Sequence, residues 1–425
     1  MLSSPTFAPG PLRGELDVPG DKSISHRALL AAAAVAGPVR IANLNPGRDV
    51  RATREALAAL GVSFHGEAGD TIVEARPRGL RESPAPLDCM NSGSTARMLL
   101  GACAGANVRA QFDGDESLRG RPMEPVAAQL RAFGATIETT GGRLPLQLLG
   151  TPEIQTRNFI LLSPSAQVKS ALLFAGLFAG VGVSVAGDRG SRDHTERLLA
   201  YLGADVHWDG RSSTLGTTPP VARPIRVPGD ASAAAFFITA AAVTPGSAVT
   251  VRNVGINPGR TGLLEALRDM GARIELRAER EVCGEPVADV SVTYAPLRAI
   301  DAGSELTVRA IDEVPLLAIA AAFADGETRI SGVRELRTKE SDRIAGIERL
   351  LRAVGIDVTT EPAGIRIRGG VPKASGGIVE TDHDHRIAMA AAVLACAAGP
   401  LGIDSDESID VSFPNFAATL ESVRA

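Results

Sequence analysis

Pro19-Gly20-Asp21-Lys22-Ser23 opens a stretch that runs on to Asn45-Pro46-Gly47-Arg48, and the same frame returns as Pro228-Gly229-Asp230-Ala231-Ser232 and Asn257-Pro258-Gly259-Arg260. The offsets are 209 and 212 residues. Two landmarks displaced together mark a duplicated chain. Each half holds two looser copies of its start: Asn91-Ser92-Gly93-Ser94 and Ser165-Ala166-Gln167 in the first, Asp312-Glu313 and Asp384-His385-Arg386 in the second. An Ala-rich run follows each start and ends near Gly37, Gly105, Gly180, Gly246, Gly326 or Gly399. A strand-like segment, a polar loop and an amphipathic helix come next. Five of those second helices close on Gly61, Gly134, Gly203, Gly271 and Gly355, the residue type that supplies a left-handed cap. Further strand-like residues follow, as at Ile72-Val73-Glu74 and Ile365-Arg366-Ile367. The period is about 70 residues, and the unit reads βαβαββ.

The expectation is an α/β chain of two domains with three βαβαββ repeats each. The N-terminal domain is expected at 14–225, and the C-terminal domain at 1–13 plus 226–425. The last repeat ends at Leu420-Glu421-Ser422-Val423 with no strands after it. The strand-like segment Leu12–Val18 is therefore expected to complete the sheet of that sixth repeat.

A length of 425 residues suits two sizeable cores. Hydrophobic residues make up 44% but aromatics only 4%, so Ala, Gly, Val and Leu must carry the packing. The formal net charge of -5 offers no global basic field for nucleic acid or an anionic membrane. Any anion binding has to be local. Cys89, Cys103, Cys283 and Cys396 lie far apart and form no CxxC pair, which argues against a disulfide framework or a zinc cluster. Ser170–Gly187 and Ala231–Val251 approach membrane-spanning length, but both are Ala-rich, interrupted by Gly or Pro, and in register with charged segments. They read as buried helices. Met1–Gly14 lacks the basic and apolar regions of a signal peptide. A soluble, cytoplasmic, monomeric protein is expected.

The duplication supplies an internal control. Features present in both halves are expected to be structural, and Pro-Gly-Asp is assigned to turns and caps. Lys22, His26 and Arg27 correspond to Ala231, Ala235 and Phe236 in the other half. A Lys at a helix mouth and an Arg one turn in suit an anion held at that N-terminus. Ser165, Gln167 and Lys169 add hydroxyl, amide and amine donors at the third start. Arg119, Arg121, Arg192, Arg337, Lys339 and Arg343 make the loops before the second helices basic. Asp312-Glu313 puts carboxylates where other starts carry neutral or basic groups, and a carboxylate beside cations is a candidate general base. His383, Asp384 and His385 are metal-ligand types, but Arg386 follows at once and no other His or Cys is near in sequence. The chain contains neither GxGxxG nor GxxxxGK[ST]. Cofactor-free chemistry on anionic substrates remains.

Eight segments stand in order and span nearly the whole chain: Gly20-Asp21-Lys22-Ser23-Ile24-Ser25-His26-Arg27, Asn91-Ser92-Gly93-Ser94-Thr95-Ala96-Arg97, Arg121-Pro122-Met123, Ser165-Ala166-Gln167-Val168-Lys169, Arg192-Asp193-His194-Thr195-Glu196, Ile311-Asp312-Glu313, Lys339-Glu340-Ser341-Asp342-Arg343 and Asp384-His385-Arg386. Together they resemble the 5-enolpyruvylshikimate-3-phosphate synthase family. The resemblance implies an inverted α/β-prism fold with the active site in the interdomain cleft. It implies transfer of the enolpyruvyl group of phosphoenolpyruvate to the 5-hydroxyl of shikimate 3-phosphate, with no metal or organic cofactor. It assigns Lys22, Ser23, Arg27, Ser165, Gln167, Arg192, Asp312 and Lys339 to shikimate 3-phosphate. Lys22, Gly93, Arg121, Gln167, Arg343 and Arg386 fall to phosphoenolpyruvate. Asp312, Glu340 and Lys22 are the implied catalytic groups.

Two positions depart from the family pattern. Val411 stands before Ser412-Phe413-Pro414 where many members carry Lys, and Glu335 stands where some carry a substrate-binding Asn. Glu335 is left out of the expected site. The sister transferase acting on UDP-N-acetylglucosamine typically has Lys-Asn where this chain has Lys22-Ser23, and a Cys in the loop equivalent to Asp113–Arg121, which has none here. An RNA 3′-phosphate cyclase would need a nucleophilic His, for which His385 is the only candidate. A non-catalytic anion-binding scaffold would leave Asp312 and Glu340 among the cations without a purpose.

Overall fold

A side-chain oxygen closes the start of five of the six Ala-rich helices. Asp21 caps α1 (Lys22–Ala33), Ser92 caps α2 (Gly93–Gly105) and Ser165 caps α3 (Ala166–Ala179). Asp230 caps α4 (Ala231–Val243) and Asp384 caps α6 (His385–Ala398). Each accepts a backbone N–H that has no partner inside its helix. The exception is α5 (Val314–Ala322), which has Pro315 in its first turn instead, where a missing N–H leaves nothing unsatisfied. The computed structural model describes residues 5–67, 69–75, 79–154, 157–163, 165–188 and 190–425. Among these, no helix is long and apolar enough to cross a membrane.

The chain divides into two units. The N-terminal unit is 20–227 with 281–285, and the C-terminal unit is 1–19, 228–280 and 286–425. Each has its own apolar core. Residues 1–4 of the expected C-terminal domain lie outside the described residues.

Among the described residues, the N-terminal unit holds three four-stranded sheets, one per βαβαββ repeat. In the second repeat, Leu87–Asp88 runs parallel to Ala110–Asp113, which is antiparallel to Arg143–Gly150, itself antiparallel to Thr136–Thr140. The first and third repeats follow the same order. The central helices pack closely because α2 carries Gly101 and Gly105. A Cβ on either would stand 2.1 Å or 2.2 Å from a carbonyl oxygen of α3, at Ala171 and Ala175. Any larger residue would force the two helices apart.

The C-terminal unit repeats this plan, with α4, α5 and α6 in mutual contact. Its last sheet has three strands, Thr6–Phe7, Leu401–Ile403 and Ile378–Val379. The expected partner of Leu12–Val18 is corrected here. Arg13–Asp17 pairs in parallel with Ala248–Gly255, in the sheet of the fourth repeat. Among the described residues before Gly20, Thr6–Phe7 is the strand that joins the sixth, antiparallel to Leu401–Ile403. The register places Asp17 opposite Arg252, which also forms an ion pair with it at 2.5 Å. Ile225–Arg226, the strand just before the fourth start, pairs instead with Pro38–Ala42 of the first repeat. The first and fourth repeats have thus exchanged opening strands. This moves 14–19 into the C-terminal unit and 226–227 into the N-terminal one.

Candidate active site

In the N-terminal unit the expected ligands gather at helix starts. Lys22 is the first residue of α1, and its Nζ donates to Asp49 Oδ2 at 2.9 Å. Ser23 beside it is half-buried. Arg27 is 3% exposed. Its guanidinium donates to Thr195 Oγ1 at 2.8 Å, to the Ser23 carbonyl at 2.9 Å and to Ser170 Oγ at 2.9 Å. Burial pulls its pKa down to about 10, although Glu196 and Asp21 favour the charge. Behind it lies His26, with Nδ1 2.7 Å from Thr53 Oγ1. Burial, then the charges of Lys22 and Arg27, hold this imidazole well below its ordinary pKa.

Gln167, in the first turn of α3, is fixed from α2. Its Oε1 accepts from Arg97 Nη1 at 2.7 Å and its Nε2 donates to Ser94 Oγ at 3.0 Å. Gly93 opens α2, and a Cβ there would meet Arg97 Nη1 at 2.5 Å and Arg121 Nη1 at 3.6 Å. The missing side chain leaves room for both arginines. Arg121 donates to Asn91 Oδ1 and to Ser117 Oγ. Ser165 is the cap of α3, and Arg192 is half-buried in the loop before the helix His194–Tyr201.

Lys169 does not join the ligands expected at that start. It is 1% exposed, with Nζ 2.6 Å from Asp188 Oδ2 and 2.7 Å from Glu196 Oε1. Its position in the first turn of α3 points it into the core, where a charge is tolerated only with partners. Asp188 also accepts the Ser191 N–H at 3.0 Å, so this pair ties α3 to the Arg192 loop.

In the C-terminal unit the centre is Arg343, the first residue of the helix Arg343–Ala353 and 1% exposed. Its guanidinium donates to Asp384 Oδ2 at 2.8 Å and to Glu340, and lies 3.6 Å from Asp312 Oδ1. Burial disfavours its charge, but Asp384, Glu340 and Asp312 outweigh that and raise its pKa. Burial likewise works against the Asp384 carboxylate, and Arg343 more than offsets it, leaving that pKa below its ordinary value. Arg386 Nη1 donates to the Asp312 carbonyl at 3.0 Å, and Nη2 stands 3.8 Å from Asp312 Oδ2. Lys339 donates to Glu335, so the glutamate left out of the expected site touches one of its lysines. Val411 ends a turn of 3₁₀ helix and is half-buried. His383 is exposed and His385 buried, so the two do not face one ion together.

The geometry therefore gathers Asp312, Glu340, Arg343 and Arg386, and separately Lys22, Gly93, Arg121 and Gln167. Asp312 and Glu340 share one guanidinium that cannot lose its own proton at neutral pH. Two carboxylates so placed can move protons beside a bound anion. Asp49, Arg97, Ser170 and Thr195 were not foreseen. Asp49 had a signal: where Lys22 becomes Ala231 in the other half, Asp49 becomes Thr261.

The family model of EPSP synthase (3-phosphoshikimate 1-carboxyvinyltransferase) matches residues 7–420. The chain belongs to the EPSP synthase family. Relatives named 3-phosphoshikimate 1-carboxyvinyltransferase include one from Desulforudis audaxviator, 46% identical over 97% of each chain. Another, from Geobacillus kaustophilus, is 43% identical over 97% of this chain and 98% of its own. A solved EPSP synthase from Acinetobacter baumannii superposes with a TM-score of 0.88 at 39% identity, covering 99% of this chain and 98% of that one. The enolpyruvyl transferase NikO from Streptomyces tendae shares the EPSP synthase fold at a TM-score of 0.78 and 19% identity, over 98% of this chain and 96% of its own.

Proposed function

We infer that this protein is a 3-phosphoshikimate 1-carboxyvinyltransferase of aromatic amino acid synthesis, working as a soluble cytoplasmic monomer. It joins the 5-hydroxyl oxygen of shikimate 3-phosphate to C2 of phosphoenolpyruvate. Asp312 takes the hydroxyl proton as the C–O bond forms. Glu340 delivers a proton to the methylene carbon, giving a tetrahedral adduct. Glu340 then removes a proton from the new methyl group, the C–O bond to phosphate breaks, and Lys22 assists the departing phosphate. The products are 5-enolpyruvylshikimate 3-phosphate and inorganic phosphate.

The observation that carries this reading is the Arg343 clamp, which holds Asp312 and Glu340 together. An addition–elimination of this kind needs a base at the attacking hydroxyl and an acid at the methylene carbon, and preorganised cations stabilise the developing charge. Arg343 and Arg386, with Lys22, Gly93, Arg121 and Gln167, are assigned to phosphoenolpyruvate. Lys22, Ser23, Arg27, Ser165, Gln167, Arg192, Asp312 and Lys339 are assigned to shikimate 3-phosphate. Because Arg27 is almost closed off by its three bonds, its part is to charge and shape the pocket behind Ser23. The test is incubation of the purified protein with both substrates, following phosphate release and the vinyl protons of the product by NMR. Release of phosphate with the vinyl ether is expected; no release rejects the reading.

A further inference from the structure

The fourth start, Gly229-Asp230-Ala231-Ser232, lacks the lysine of the first, and its Gly229-Asp230 belongs to the shared turn and cap. Its serine is nevertheless placed at the hub of a buried cluster. Ser232 is 5% exposed. Its hydroxyl donates to Glu313 Oε1 and accepts from Arg260 Nη2 at 2.6 Å and from Arg386 Nη2 at 3.3 Å. A serine hydroxyl has one proton and two lone pairs, so all three are used. Glu313 is 2% exposed, and its Oε1 also lies 3.5 Å from Arg386 Nη1 and 3.8 Å from Arg260 Nη2. Arg260 is 5% exposed and reaches Asp230 Oδ1 at 3.4 Å.

We propose that Ser232, held by Glu313 and Arg260, is a positioning residue that aims the Arg386 guanidinium at phosphoenolpyruvate. A long arginine side chain has many rotamers, and fixing it before the ligand arrives removes an ordering cost from binding. Arg386 is gripped on one nitrogen by the Asp312 carbonyl and on the other by Ser232. The two grips, one on each terminal nitrogen, set the plane of the guanidinium. Arg260 and Glu313 make the grip rigid, because each fixes the serine hydroxyl from a different element: the loop before the helix Gly262–Asp269 and the turn before α5. Ser23, the counterpart of Ser232 in the first start, is assigned to substrate. One repeat position therefore serves a ligand directly in one unit and through an arginine in the other.

This proposal rests on the assignment of Arg386 to phosphoenolpyruvate, and the experiment separates the two. Steady-state kinetics with both substrates varied would compare the parent protein with Ser232→Ala, Ser232→Cys and Ser232→Thr, each first checked by its melting curve. Ser232→Ala is expected to raise KM for phosphoenolpyruvate about tenfold, the scale of one lost hydrogen bond to a charged group. KM for shikimate 3-phosphate and kcat should stay within about twofold, since neither depends on that bond. Ser232→Thr keeps the hydroxyl and should restore the parent value. Ser232→Cys is nearly the same size, so it keeps the fold even if the alanine variant does not, and its weak thiol should raise the same KM severalfold. An unchanged KM for phosphoenolpyruvate in both the alanine and cysteine variants overturns the proposal alone. So does a parallel loss in both KM values and kcat, which would indicate general loosening. A parent protein that turns over neither substrate overturns the assignment and this proposal with it.

Discussion

The first and fourth helix starts share a frame and differ in contents. At both, Asp caps the helix, and Asn45 and Asn257 close the same turn by accepting the Gly47 and Gly259 N–H groups. Lys22 and Asp49 face each other at 2.9 Å in one; the matching residues in the other are Ala231 and Thr261. Arg48 is exposed, while its counterpart Arg260 is buried on Ser232. The comparison teaches that the fold requires the cap and the turn but not the ion pair. It also shows that a shared residue is not thereby idle, since Ser232 and Arg260 belong to the frame and yet contact Arg386 and its surroundings.

The strongest way to break this comparison is to transplant one start into the other. Lys22→Ala/Asp49→Thr reproduces the fourth start inside the first. It is expected to melt within a few degrees of the parent while kcat/KM falls about a thousandfold or more, the scale of a lost charge at a developing anion. A variant that unfolds, or one that keeps a tenth of the activity, would show the pair to be structural.

A smaller effect separates the third start from the sixth. Lys169 occupies the same helical turn of α3 that Ala388 occupies in α6. Lys169→Met leaves Asp188 and Glu196 buried without their cation, which costs about 3–5 kcal/mol. Urea unfolding should read that loss, and a change under about 1 kcal/mol would mean that the carboxylates find another partner.

The smallest effect concerns His26, whose counterpart is Ala235. Its folded pKa lies below its unfolded one because of burial, then Lys22 and Arg27. The unfolded chain therefore binds more protons below about pH 6.5. Stability is complete above that pH and declines as the pH falls toward the folded value, by at most about 1.4 kcal/mol per pH unit. His26→Asn keeps an acceptor for Thr53 and should flatten this slope between pH 6.5 and 5. Parallel unfolding profiles for parent and variant would count against the assignment.

Much of this was legible in the chain. Glycines at helix ends, Pro-Gly-Asp frames and Ala-rich runs are local signals, and they located the repeats, the caps and the helix starts that carry the candidate site. Partner choice was not local. Leu12–Val18 reads as a strand, but six similar sheets compete for it, and only packing decides that Ala248–Gly255 wins. Lys169 could be placed on its helix but not aimed, because its carboxylate partners stand 19 and 27 residues away. Comparing repeats finds residues that changed type. It is blind to Ser232, which kept its type and acquired new neighbours.

The exchange of opening strands has a consequence in time. A ribosome releases Arg13–Asp17 long before Ala248–Gly255, the strand it must pair with. At roughly 5–20 residues per second the wait lasts on the order of ten to fifty seconds. Through that interval the segment is an unpaired strand, a state prone to wrong association. Its own composition guards it: Arg13, Glu15 and Asp17 face outward, and Leu16 alone among the five is buried once paired. The N-terminal unit waits less, since Ile225–Arg226 and its last segment, 281–285, are made well before the end of the C-terminal unit. Synthesis order thus makes the N-terminal unit the first to be complete, although the segment that precedes it, 1–19, belongs to the other.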